Sequence, residues 1–112
     1  MRVRLVFVPP DGGEQDYYLD FELPGIPQVG DYISIMRPGR EGTSDFIVRR
    51  TWWHLKYPNE AAGTADDCGS LHSVVVECEF AKGMYSSDEH LRACETYKQQ
   101  TGKLKEFEAS GY

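Results

Sequence analysis

Residues 44–57, SDFIVRRTWWHLKY, constrain the fold more than any other stretch, because they hold both tryptophans within a long run that favours β-strands. The alternation expected of a half-buried strand breaks in the middle of this run. Its apolar residues first occupy even positions, Phe46 and Val48. After residue 51 they occupy odd positions, Trp53, Leu55 and Tyr57. One strand cannot point both sets toward a single core, so we predict a β-bulge or sharp bend near residues 49–51.

This bend decides which tryptophan is structural. It points Trp53 into the core together with its odd-numbered neighbours, and it turns Trp52 outward between Arg50 and His54. Since Trp, Tyr and Arg dominate interface energetics, these outward residues, together with Tyr32, predict a partner-binding surface. The alternative is that a C-terminal helix covers Trp52 and makes it a second layer of the core.

Alternating apolar residues predict four further strands, separated by turns rich in proline and glycine: residues 2–8, 17–23, 32–36 and 71–81. The first two strands are expected to form a hairpin, and the last is expected to pair antiparallel with the tryptophan-containing strand. On that last strand His72 and Cys78 are predicted to face inward. Arg50 is expected to form a cross-strand ion pair with Glu77 or Glu79.

One helix is predicted, over about residues 87–101. A capping box fits the segment from Ser86 to Glu89, and Gly102 is a suitable C-terminal stop. An apolar stripe that includes Cys94 would pack on the sheet, whereas His90 is expected to be exposed among polar neighbours.

The predicted fold is α+β, mainly β: a five-stranded, strongly bent antiparallel sheet or small barrel with one C-terminal helix. Residues 1–102 would form a single domain, and residues 103–112 a partly ordered tail. A chain of 112 residues can bury one core without the support of metals or disulfides. The succession of five short strands with a bend in the fourth resembles the layout of an SH3-like small β-barrel, a likeness that implies no function.

Charge and composition restrict the function. The net charge is −6, and residues 57–112 contain five Lys/Arg against ten Asp/Glu. Nucleic-acid binding is not expected, because it requires clustered cations. The three cysteines, Cys68, Cys78 and Cys94, do not form a disulfide framework. A signal peptide and a membrane helix are not expected either, and a cytoplasmic location is predicted.

Candidate chemistry is sparse. Asp66, Asp67, Cys68 and His72 are metal-ligand types, but their spacing matches no zinc pattern, so no metal or other cofactor is predicted. No catalytic residues are assigned, because the sequence does not bring together a nucleophile, a base and an oxyanion donor. Enzymatic activity is therefore not the leading hypothesis.

Three functional hypotheses remain. The first is a small non-enzymatic interaction module or accessory protein that binds another protein through the aromatic and basic outer sheet face. The second is a small-molecule or nucleotide-binding protein, or an enzyme, with a pocket between the bent sheet and the 58–70 loop, lined by His54, His72 and Asp66 or Asp67. The third is an acidic inhibitor from a phage or mobile element. An exposed edge strand would also allow a homodimer.

Overall fold

A computed structural model describes residues 1–58 and 68–107 of the chain. Six strands and one helix occur in these residues, in the order β1 (Arg2–Val8), β2 (Tyr17–Glu22), β3 (Tyr32–Met36), β4 (Thr43–Lys56), β5 (Ser70–Lys82), α1 (Asp88–Thr101) and β6 (Lys105–Glu106). The sheet order is β2-β1-β5-β4-β3, and β6 pairs with β5. The sheet curls strongly into a half-barrel, which confirms the predicted class of α+β, mainly β, with one C-terminal helix.

The strand pairings follow the sequence pattern except where β5 pairs with β1 and with the unpredicted strand β6. As predicted, β1 and β2 form an antiparallel hairpin, and β4 pairs antiparallel with β5. The pairing of β1 with β5, however, is parallel, with Arg4 opposite Val75. Local alternation specifies which side chains face the core, but it does not specify the direction of a partner strand about seventy residues away. Val6 and Val8, on the second face of β1, are buried as well, as expected for a strand inside the sheet.

The predicted bulge in β4 is confirmed. Val48 pairs with Cys78 and Arg50 pairs with Glu77, so Arg49 is an extra residue in β4. Its guanidinium lies against the second sheet face, where Nε donates to Glu77 Oε2 at 3.0 Å. The ion pair therefore gives the extra residue a partner at the point where the strand changes parity.

The core lies on the concave face of the sheet and contains Val3, Leu5, Phe7, Ile35, Phe46, Val48, Val74, Val76, Cys78, Phe80 and Cys94. Phe46 is at the centre of an aromatic cluster, with ring centroids 4.2 Å from Phe7 and 5.0 Å from Phe80. Helix α1 covers this end of the sheet through Cys94 and Tyr97.

The helix ends are close to the predicted ones. The N-cap is Ser87 rather than Ser86, and its Oγ accepts from the backbone N–H of His90 at 3.2 Å. Gly102 ends the helix in the left-handed region at φ 71°, as predicted, and its N–H donates to the Lys98 carbonyl. The predicted exposure of His90 is wrong, since its ring stacks on Phe80 in the core.

The segment after the helix returns to the sheet. Lys105 pairs with Ala81 in a short parallel strand, and Lys105 Nζ lies 2.5 Å from Glu79 Oε1, a carboxylate that is almost fully buried. Phe107 stacks on Tyr32 with ring centroids 4.4 Å apart. Residues 103–107 thus close part of the second sheet face, and residues 108–112 lie outside the described ranges.

Candidate functional site

The far halves of β4 and β5 form a two-stranded ribbon, which we call the arm (residues 50–57 and 70–75). On the β4 side, β3 pairs only as far as Ile47, and on the β5 side, β1 pairs only from Val75 onward. Within the described ranges, each arm strand therefore has the other as its main sheet neighbour. The overall dimensions of 56 × 28 × 26 Å reflect this extension of the sheet beyond its body.

The bulge at Arg49 fixes the two faces of the arm, because side chains alternate between faces along the strand after it. On the outer face lie basic and aromatic side chains: Arg50, Trp52, His54 and Lys56. On the inner face, continuous with the core side of the sheet, lie mainly apolar ones: Thr51, Trp53, Leu55 and Tyr57. Both tryptophans are thus on β4, but they point to opposite sides.

Both faces of the arm expose large apolar side chains. Trp52 is 41% exposed and Trp53 is 53% exposed. Leu55, Tyr57 and Leu71 are also exposed. The outward orientation of Trp52 is therefore confirmed, whereas the prediction that Trp53 is a core residue is wrong.

The length of the neighbouring strands explains the exposure of Trp53. It pairs with Val74, which is buried, but the body of the protein ends near this pair. The same boundary leaves Leu55 and Tyr57 exposed, so the prediction that they are buried in the core is wrong. Helix α1 packs at the other end of the sheet, against Phe80, so the alternative in which it covers Trp52 is also wrong.

Arg50 connects the outer face of the arm to the body. Its Nε lies 3.1 Å from Glu77 Oε2, which confirms the predicted cross-strand ion pair. Its guanidinium carbon lies 5.6 Å from the Trp52 ring centroid, within cation–π range. Since the Arg50 side chain is 54% exposed, it remains accessible to a partner beside Trp52.

Three of the four predicted binding residues lie together. Arg50, Trp52 and His54 follow one another on the outer face of β4, and His54 is exposed opposite Ser73. Tyr32 is on the same sheet face but pairs with Ile47, about 15 Å along the strand from Trp52. Its stacking on Phe107 separates it further from the arm surface.

The sequence pattern wrongly predicted that Trp53 and Leu55 are core residues. A signal for their exposure existed in strand length, because the predicted third strand, residues 32–36, is much shorter than the run over residues 44–57. A long strand must extend beyond a short neighbour, and its far half then lacks cover on that side.

The described part of the arm is cationic in an otherwise acidic chain. Residues 50–57 and 70–75 contain two Lys/Arg, Arg50 and Lys56, and no Asp or Glu. The nearest acidic partner in register is Glu77, at the base of the arm. The arm therefore combines exposed aromatic area with positive charge.

His72 is exposed, so its predicted inward orientation is wrong. It is the extra residue at a second register shift, because His54 pairs with Ser73 and Leu55 pairs with Leu71. His72 lines a depression of about 310 Å³ together with Arg2, Arg4 and Asp20, and His54 is not among the lining residues. Asp66 and Asp67, the other predicted pocket residues, lie outside the described ranges.

The carboxylate in this depression is already engaged by the protein itself. Hydrogen bonds from Arg4 and Arg2 lower the pKa of Asp20 to about 2. The Arg4 Nε lies 2.9 Å from Asp20 Oδ1. Asp20 is therefore a permanently charged partner of these two arginines rather than a group that could exchange protons near neutral pH.

A second polar cluster lies beneath the helix N-terminus, around the fully buried carboxylate of Asp45. It accepts hydrogen bonds from the hydroxyls of Ser34, Thr43 and Ser86 at 2.5–2.9 Å. His90 Nε2 lies 2.8 Å from the Ala81 carbonyl oxygen and 3.2 Å from the backbone nitrogen of Asp45, whose N–H is directed at it.

The cluster contains Ser, His and Asp but lacks the geometry of nucleophilic catalysis. Ser86 donates to Asp45 rather than to His90, and the polar contacts of His90 Nε2 are with backbone groups, the Ala81 carbonyl and the Asp45 N–H, rather than with a hydroxyl. A catalytic base must instead accept the proton of the nucleophile. The arrangement is that of a buried polar network which joins β3, β4 and the start of α1.

The thiols also have limited chemistry. Burial raises the pKa of Cys78 to about 12 and that of Cys94 to about 12. Both thiols therefore stay protonated and unreactive near neutral pH, whereas Cys68 is exposed. Among residues 1–58 and 68–107, no three His, Cys, Asp or Glu side chains are grouped closely enough to hold a metal ion.

Helix α1 is too short and too polar to cross a membrane, and no other helix occurs in the part of the chain that the structure describes. Comparison of the chain with protein-family models, with curated proteins and with solved structures finds no match.

Proposed function

We propose that this protein is a small non-enzymatic interaction module that binds another protein through the outer face of the arm, with Trp52 at the centre of the contact. The observation that carries this proposal is the exposure of both tryptophans on one projecting two-stranded ribbon. Exposed apolar groups concentrated in one region and bordered by polar residues are typical of interaction sites.

The energetics favour Trp52 as the anchor. Tryptophan buries a large area when it is covered, and its ring is already oriented beside the Arg50 guanidinium. His54 lies next on the same face and adds a polar contact. Contact sites in which a Trp is flanked by Arg and other polar groups commonly provide most of the binding energy.

The charge of the arm indicates the chemistry of the partner. Arg50 and Lys56 lie at the two ends of the outer face, with His54 between them. The complementary surface would carry carboxylates around an apolar patch that receives the Trp52 ring. The partner is therefore proposed to be a protein with an acidic and apolar contact surface.

The first experiment identifies the partner and tests the site. A photoreactive phenylalanine analogue replaces Trp52 in one variant and Tyr18, an exposed aromatic on β2, in a matched control. We expect a covalent adduct with the same partner in native cells at position 52 and no such adduct at position 18.

The second experiment uses the identified partner in purified form. Trp52→Ala is expected to weaken binding about thirty-fold or more, as for an interface anchor, while Tyr18→Ala leaves it unchanged. The thermal unfolding midpoint of each variant controls for loss of fold. Equal affinity of the folded Trp52→Ala variant and the parent protein would refute the proposal.

The other hypotheses have less support. A ligand pocket on the arm would need His54 and His72 to converge, but the depression beside His72 is formed with Arg2, Arg4 and Asp20 instead. The only support for an inhibitor role is the net negative charge of the chain. The likeness to an SH3-like barrel remains a proposal about the arrangement of the strands and carries no function.

A further inference from the structure

We infer that the arm binds its partner by strand addition: an extended segment in which acidic residues alternate with apolar ones pairs with the free edge of β4 at residues 50–56. This inference rests on the proposed function and specifies both the chemical class of the partner segment and its mode of binding. It uses the backbone of the arm as well as the side chains around Trp52.

The free edge of β4 is the side away from β5, and it begins after the last residue that makes backbone hydrogen bonds on that side. On the side away from β5, the last backbone contacts are those of Val48, whose N–H donates to the Asp31 carbonyl at 3.0 Å and whose carbonyl accepts from Gly30 at 2.9 Å. Beyond this point, no described strand pairs with that side of β4. Alternate N–H and C=O groups along the edge therefore face outward, over a length of about 23 Å.

The two faces of this edge have different chemistry. A strand added beside β4 would place alternate side chains next to the outer row, which holds Arg50, Trp52, His54 and Lys56, and the others next to the inner row, which begins with Thr51 and Trp53. Opposite charges and apolar groups are favourable cross-strand neighbours. The segment that fits has carboxylates on one face and aliphatic or aromatic residues on the other.

The β2 and β3 edges of the sheet do not offer this combination. At the β2 edge, the outward row contains Glu22 and Asp20, which Arg2 and Arg4 already bind, and β2 has no cation that would attract an acidic segment. At the other end of the sheet, β3 is only five residues long and has no cationic side chain within Tyr32–Met36. An acidic, alternating segment therefore favours β4 over both of these edges.

A second copy of the chain is the main competing occupant. In a two-fold antiparallel pairing of β4 with β4 centred on Trp53, Arg50 of each copy would face Lys56 of the other, and like charges opposite one another are destabilising. The acidic row of β2 in a second copy offers a better charge match, but Asp20 there is already bound by Arg2 and Arg4. A separate acidic segment therefore fits the edge better than a second copy does.

The test uses the full chain and a fluorescent eight-residue peptide in which glutamate alternates with valine. One control peptide has the same composition in two blocks, and a second has lysine in place of glutamate. Fluorescence anisotropy is expected to give affinity at least about ten-fold higher for the alternating acidic peptide than for either control. Equal affinity for the alternating and the blocked peptides would overturn the inference.

Two backbone-methylated peptides distinguish binding by strand addition from binding through side chains alone. In one, the backbone nitrogens of the odd residues are N-methylated, and in the other, those of the even residues. Because only one edge of an added strand faces the arm, we expect one of these peptides to lose binding about ten-fold or more and the other to keep most of it. Similar loss or similar retention in both would rule out pairing along one edge.

A charge reversal then locates the site. Lys56→Glu is expected to weaken binding of the acidic peptide about three- to ten-fold at low salt, with a smaller effect at high salt. Lys82→Glu, the same change at the opposite end of β5, is the matched control and should leave binding unchanged. Equal effects of the two variants would show only a general charge effect and would contradict the inference.

The outcomes also distinguish this inference from the proposed function. If position 52 crosslinks to a protein partner but the acidic peptide does not bind, strand addition is wrong and the interaction module stands. If neither occurs, both are wrong. If light scattering finds a dimer or larger assembly whose dissociation constant changes with Lys56→Glu and not with Lys82→Glu, the occupant of the edge is a second copy and the inference is overturned.

Discussion

The two halves of β4 have similar β-favouring sequences but opposite environments. In the first half, residues 43–48, Asp45, Phe46 and Val48 are buried. In the second half, residues 51–56, both tryptophans and Leu55 are exposed. The first half has β3 on one side, β5 on the other and α1 nearby, whereas the second half has only β5 among the described elements.

This contrast shows that the direction in which a side chain points and the extent to which it is buried are set by different features of the fold. Alternation and the bulge place Trp53 on the same sheet face as Val48, and yet Trp53 is 53% exposed while Val48 is fully enclosed. A side chain on the core face is buried only if other elements extend far enough to cover it. The uncovered half is then available for a partner, which is the basis of the proposed function.

The largest expected effect is that of a truncation in the covered half. Phe46→Ala removes a ring that contacts Phe7, Phe80 and His90. The resulting cavity should lower the free energy of unfolding by about 3–5 kcal/mol, measured by urea denaturation. A loss below about 1 kcal/mol would mean that this half of β4 is no better packed than the arm.

An intermediate effect is expected from the polar network in the same half. Asp45→Asn keeps the shape of the side chain but removes its charge and replaces one of the two oxygens that accept from three hydroxyl groups with an NH2 donor. Because charge-assisted hydrogen bonds to a buried carboxylate would be weakened or lost, we expect a loss of about 1–3 kcal/mol in the free energy of unfolding. Glu14→Gln, an exposed acid-to-amide change in a loop, is the control and should be close to neutral.

The smallest effect on stability is expected in the arm. Trp53→Ala removes a larger side chain than Phe46→Ala does, but one that is already more than half exposed. Its cost in urea denaturation should stay below about 1 kcal/mol, in the range of surface substitutions. A cost comparable to that of Phe46→Ala would show that the arm is packed in solution and would weaken the case for a free binding surface.

Much of the fold could be predicted because its signals are local. Alternation located the strands, the parity change located the bulge at Arg49, and Gly102 gave the end of the helix, since these features depend on a few neighbouring residues. The charge and position of Arg50 and Glu77 also predicted their ion pair. For the candidate site, the sequence correctly grouped Arg50, Trp52 and His54 on one outward face.

Other features depend on residues distant in sequence. His90 has polar neighbours along the chain but stacks on Phe80 from another element. The parallel pairing of β1 with β5 and the return of residues 103–107 to the sheet join segments whose local patterns contain no sign of each other. Such contacts are set by the topology of the whole sheet rather than by periodicity.

The sequence by itself determined which face of β4 each tryptophan occupies, because side-chain direction in a strand follows from counting residues and one bulge. Only the tertiary structure decided that both tryptophans are exposed. Burial depends on where β1, β3 and α1 end in space, and those limits leave the far half of β4 beyond the body of the protein.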